Sequence, residues 1–236
     1  MSARICGASP VAACVVLLAC SACGGSPPPK AEEAPKEETH EVKPQLKMKA
    51  ELGTVDADAV TRTFHRLDDA FSSCQQQGLS RVEVLSGNLK FFLRIGEDGS
   101  AKWTYFEESD LGDRDTEKCL LDAVMGARWP KPDGGDAEAR YTLELQAPGR
   151  PATDWSSDKV AAALGKAGVA LDQCTAGSTG IKGTLYVGPG GKVLAAGVAV
   201  PSKDAADKAD CVAKVLGKLK GLPSPGSWPA KVTFGL

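Results

Sequence analysis

From Val60 the apolar residues Val60, Phe64, Leu67, Phe71 and Cys74 recur at spacings of 4, 3, 4 and 3. That spacing predicts one face of an amphipathic helix with a cysteine on its apolar stripe. An alternating run follows, Leu89 to Ile95, then Gly96-Glu97-Asp98-Gly99 and a second alternating run, which predicts a hairpin. A four-residue turn pairs Ile95 with Ser100 and Phe92 with Trp103. Leu89, Phe91, Leu93 and Ile95 then share a core face with Thr104 and Phe106. A second helix carries Cys119, Leu120, Ala123, Val124 and Ala127, with Asp113 or Asp115 as its N-cap. It stops before Trp129-Pro130-Lys131-Pro132, and the closing strand alternates Tyr141, Leu143 and Leu145.

The same unit is then written again. At an offset of 100, Val160, Leu164, Ala167, Leu171 and Cys174 repeat the first helix. At an offset of 92, Ile181, Lys182, Leu185, Val187, Gly188 and Gly191 repeat the first strand and its turn. Cys211, Val212, Val215, Leu216 and Leu219 repeat the second helix at that same offset. The change of offset is an eight-residue insertion in the first copy, between its first helix and first strand. Ser202 is the second copy's N-cap, Leu222-Pro223-Ser224-Pro225 its stop, and Val232, Phe234 and Leu236 its last strand. The fold class is therefore α+β, with two tandem α-β-β-α-β modules at 56–146 and 157–236 joined by a linker at 147–156. Each module layers helices over a three-stranded antiparallel sheet.

Eight cysteines point to an oxidising compartment. Four lie in the modules, which permits three pairings, and the repeat selects Cys74–Cys119 and Cys174–Cys211. Each bridge staples one helix to the next in a unit whose core is small. No C-x-x-C stands within the modules to activate a catalytic thiol.

Residues 1–19 read as a lipoprotein signal peptide: Arg4 precedes an apolar run from Val11 to Ala19, too short to span a bilayer. Leu17-Leu18-Ala19-Cys20 resembles a bacterial lipobox, which predicts lipidation of Cys20 and a membrane anchor, with Cys23 as the fallback. Ser21 favours the outer membrane, facing the periplasm, over the inner one. Residues 20–55 carry Pro27, Pro28, Pro29, Pro35 and Pro44 among Glu and Lys, the composition of a disordered tether.

Charge and composition exclude more than they select. Lys+Arg (28) and Asp+Glu (30) nearly cancel, which argues against a nucleic-acid partner held by phosphate neutralisation. Two histidines, His40 in the tether and His65 beside the first apolar stripe, leave no His-rich metal site or His-based triad. Glu107, Glu108, Asp110, Asp113, Asp115 and Glu117 lack the spacing and glycine of an EF-hand and read as a solvated loop. Gly188-Pro189-Gly190-Gly191-Lys192 lacks the first glycine and the hydroxyl of a P-loop and reads as a hairpin. No metal, cofactor or catalytic set is expected.

The order helix with Cys, strand, G-x-x-G turn, strand, helix with Cys, aromatic-Pro-x-Pro and closing strand resembles the AgmX/PglI C-terminal domain family, itself similar to the TonB C-terminal fold. Cys74, Gly99, Cys119, Trp129, Pro130, Pro132 and the Tyr141 strand carry the likeness in the first copy. Cys174, Gly191, Cys211, Pro223, Pro225 and the Val232 strand carry it in the second. Gln75 and Thr175 stand where an aromatic often follows the first cysteine, and Trp129-Pro130 and Leu222-Pro223 replace Phe-Pro. The resemblance implies two TonB-C-like modules in a non-enzymatic envelope protein of the gliding-motility kind. It also implies capture of a partner segment by strand addition.

Beside that stands a candidate binding face read from the residues. Lys90, Phe92, Arg94, Trp103 and Tyr105 share the side of the first hairpin opposite its core. The second copy has Lys182, Thr184, Tyr186, Ala195 and Gly197 there. Such an aromatic–cationic face suits a peptide or a cell-wall glycan. The function expected is binding or scaffolding in the bacterial envelope, with peptidoglycan binding as the alternative. A thiol–disulfide oxidoreductase is the rival of another class.

Overall fold

Asp56 opens the first helix: its carboxylate accepts the amide protons of Asp58 (2.9 Å) and Ala59 (3.2 Å). In this computed structural model residues 52–236 are described, and all belong to one compact unit. The signal segment, Cys20, His40 and most of the predicted tether lie outside the described residues. Gly53 and Thr54, read as the tether's end, are hydrogen-bonded to the 133–136 loop.

The expected first helix is two helices, α1 (Ala57–His65) and α2 (Asp68–Leu79). Arg66 and Leu67 take shallow ψ values of -14° and 0°, and Leu67 N–H bonds to the Phe64 carbonyl, one residue short of helical spacing. The tight turn re-aims the chain while keeping Val60, Phe64, Phe71 and Cys74 buried. Strands β1 (Gly87–Ile95) and β2 (Ala101–Ser109) follow, then α3 (Arg114–Gly126) and β3 (Ala137–Leu145). The sheet order is β2-β1-β3, antiparallel throughout. Leu89, Phe91, Leu93 and Ile95 are fully buried beneath the helices, as their alternation predicts. The register differs by one residue at the turn, where Ile95 pairs with Ala101, and by two beyond the bulge, where Phe92 pairs with Tyr105. A bulge between Arg94 and Ile95 and a turn closed by Gly96 N–H to the Ser100 carbonyl lengthen the hairpin. A shift of two preserves which side chains share a face.

The second copy repeats this plan. β4 (Thr153–Asp154) comes from the linker, then α4 (Asp158–Thr175), β5 (Lys182–Gly188) and β6 (Lys192–Ala199). Short helices α5 (Lys203–Ala206) and α6 (Ala209–Leu216) precede β7 (Ala230–Gly235). The order is β4-β7-β5-β6, so the first strand of the copy is again flanked by its second and third. β4 runs parallel to β7 and is the one addition; Trp155 N–H to the Lys231 carbonyl and Trp228 Nε1 to the Pro151 carbonyl hold it.

Both staples are present: Cys74–Cys119 joins α2 to α3 and Cys174–Cys211 joins α4 to α6, with Cα separations of 5.7 and 5.5 Å. The shared turn glycines also gain a cause. Gly99 (φ +79°) lies under the Trp129 carbonyl, and Gly191 (φ +74°) lies under the Leu222 carbonyl. In each copy the segment entering the Pro-x-Pro stop crosses the hairpin turn where only a residue without a β-carbon fits.

Candidate functional site

The predicted aromatic face is not an open platform. Phe92 (6% exposed) and Tyr105 (7%) stack at 4.9 Å and belong to the hydrophobic core of the second copy, with Val198, Val200 and Ala209. Trp103 packs at its margin, under the Lys203 ammonium at 4.5 Å. The exchange is reciprocal: Tyr186, fully buried, belongs to the core of the first copy. The two sheet faces therefore cover one another's aromatics, because a half-buried sheet face rich in rings is stable only when something removes it from water. The cations are taken as well. Lys90 lies 3.4 Å from Glu107 and 3.6 Å from Glu108. Arg94 meets Asp136 (3.4 Å) and Glu138 (3.2 Å). Burial pushes the Tyr105 hydroxyl above its ordinary range, with Glu107 adding to it.

The module seam is closed by polar groups that the acidic cluster hid. Glu117, expected in a solvated loop, is fully buried on α3, and Asp113 is nearly so. Glu117 occupies the apolar stripe with Leu120 and Val124, at spacings of 3 and 4. One carboxylate oxygen accepts the Ser109 hydroxyl at 3.0 Å. The other accepts the Val198 amide at 3.0 Å, across the seam, and lies 3.5 Å from Arg114. Desolvation dominates and pushes its pKa up to about 7, against the Val198, Arg114 and Ser109 contacts that favour the charged form. Asp113 stands at the N-cap of α3 but turns its carboxylate to Arg81 and Thr116. Arg114 reaches across to Asp210 at 2.7 Å and holds its carboxyl below the usual range.

Tyr186 makes the matching bridge. Its hydroxyl accepts the Ser86 amide (3.0 Å) and donates to the Ser86 carbonyl (2.8 Å). Tyr186→Phe removes the partner of that half-buried amide and is expected to cost about 1 kcal/mol. Urea denaturation reads it as a lower midpoint at unchanged slope; an unmoved midpoint would show that the bridge adds nothing.

Docking also decides which strand edges remain. β2 and β6 are outer strands of their sheets, and they face one another: Val200 N–H donates to the Phe106 carbonyl at 3.0 Å. β4 is two residues long. β3, nine residues, is the long outer strand with no such contact: its backbone groups have no hydrogen-bond partner beyond β1 among the described residues. Its exposed residues are Glu138, Arg140, Thr142 and Glu144. Thr142 lines a seam cavity of about 270 Å³ with Asn88, Lys90 and Lys182. Glu144 and Leu145 line a neighbouring one of about 330 Å³ with Asp110 and Lys231. No cluster of three or more metal-ligating side chains occurs among the described residues.

These features define an α+β protein of two interlocked repeats, each stapled by a disulfide, with an open edge along the nine-residue outer strand β3. No family model, no curated protein and no solved structure matches the chain.

Proposed function

We propose that this is a non-enzymatic, lipid-anchored envelope protein that binds an extended segment of an envelope partner by strand addition at β3. The open nine-residue edge of β3 carries the reading. An unpaired ladder offers backbone hydrogen bonds to any extended chain, and alternate side chains set its choice. The lipobox-like Leu17-Leu18-Ala19-Cys20 and the two disulfides support an exported, oxidising setting. The TonB-like order of elements supports strand addition in particular. The glycan alternative relied on an open aromatic face, and the burial of Phe92 and Tyr105 gives it no support. For the oxidoreductase rival, mild dithiol without denaturant is the discriminating reagent, and resistance of both bridges is the expected result.

A photo-crosslinking residue at Thr142 is expected to capture one envelope protein in living cells. The same probe at Phe92, beneath the second copy, is expected to capture none. Capture at 92 alone would return the binding site to the aromatic face.

A further inference from the structure

The two repeats carry opposite charge. Residues 56–146 hold 18 carboxylates against 11 lysines and arginines, whereas residues 153–236 hold 10 lysines and no arginine against 6 aspartates. The excess is local. Lys192, after the β5–β6 turn, and Lys218 and Lys220, after α6, rim a groove of about 620 Å³. Lys166 reaches its edge, 4.0 Å from where a β-carbon on Gly221 would sit. All four are exposed, and none has a carboxylate within 4.0 Å among the described residues, whereas the first repeat's Lys90, Lys102 and Lys118 are all paired. No acidic residue lines the groove. Its walls are glycines, Gly190, Gly191, Gly217 and Gly221, so backbone is reachable, and Val193 and Leu219 form an apolar floor.

Unpaired like charges on one face repel one another, and they are relieved by a multivalent anion. Lysine ammoniums are mobile point charges, suited to several phosphates at varied positions, where a single fixed phosphate favours the arginine fork. The spread of four lysines around a shallow apolar floor fits a field of headgroups better than one ion. The acidic first repeat orients the molecule, since the same surface repels it. We infer that this lysine-rimmed groove docks the second repeat on an anionic phospholipid surface. The inference is independent of the β3 edge.

Hydrogen exchange of the full chain on vesicles tests it, because local protection separates groove docking from any anchor at the N-terminus. On vesicles of roughly one-third phosphatidylglycerol, amides of 190–193 and 217–221 become protected, and on phosphatidylcholine alone they do not. Changing Lys192, Lys218 and Lys220 together to Gln raises the lipid needed for half-protection on the order of a hundredfold, and changing all three to Arg restores it. High salt removes the protection. Equal protection on both vesicle types, protection unmoved by the Gln variant, or the same protection from millimolar inorganic phosphate would each overturn the proposal.

Discussion

Replacing Cys74 or Cys119 by serine is expected to lower stability by about 4 kcal/mol, and replacing both by no more than that. The bridge closes a loop of 45 residues between α2 and α3, and opening it returns that much chain entropy to the unfolded state. Non-additivity is the signature of a pair: the second substitution removes nothing that the first left in place. Cys174–Cys211 closes 37 residues and should cost nearly as much. Because the cores interlock through Phe92, Tyr105 and Tyr186, either loss should unfold both repeats in one transition. Urea denaturation followed by tryptophan fluorescence and by far-UV circular dichroism checks this. Two separated transitions, or additive serine losses, would contradict it.

The second large effect is a dependence on pH. Glu117 titrates near 4.5 when unfolded and at about 7 when folded, so between those values the folded chain holds a proton the unfolded chain has released. The contribution of Glu117 is therefore full below pH 4.5, falls as pH rises, and is about 3 kcal/mol lower above pH 7. The cost arises at the seam, where the ionised carboxylate loses water and keeps only Val198, Ser109 and Arg114. Glu117→Gln keeps an acceptor for Val198 N–H and a donor toward Ser109. It is expected to match the parent at pH 5 and to exceed it at pH 8. Chemical denaturation across that range measures the two slopes, and equal slopes would remove Glu117 from the account.

The repeat, the staples and the faces of the hairpin were legible because each rests on local periodicity. Cys74, Gly99, Cys119 and their counterparts recur at fixed offsets, and alternation alone puts Phe91 inside and Phe92 outside its own core. What covers Phe92 was not legible, since alternation names a face and not its neighbour. The register slipped by one at the longer turn and by a second residue at Arg94, because a bulge leaves no mark in an alternating run. Glu117 did carry a signal: a carboxylate on the stripe of Leu120 and Val124 is out of place unless something receives it. The groove lysines were invisible as a group because Lys166, Lys192 and Lys218 come from three separate elements. The linker's two-residue strand, Thr153–Asp154, lacks any periodicity to read.

The strand-addition reading is tested most directly by mapping in-cell crosslinks along β3 itself. Photo-crosslinking residues at positions 138, 140, 142 and 144 are expected to give adducts with one partner, at sites advancing about two residues for each step along the edge. Such a ladder places an extended segment beside β3. Adducts scattered over a folded surface, or none from any of the four exposed positions, would contradict recognition at this edge.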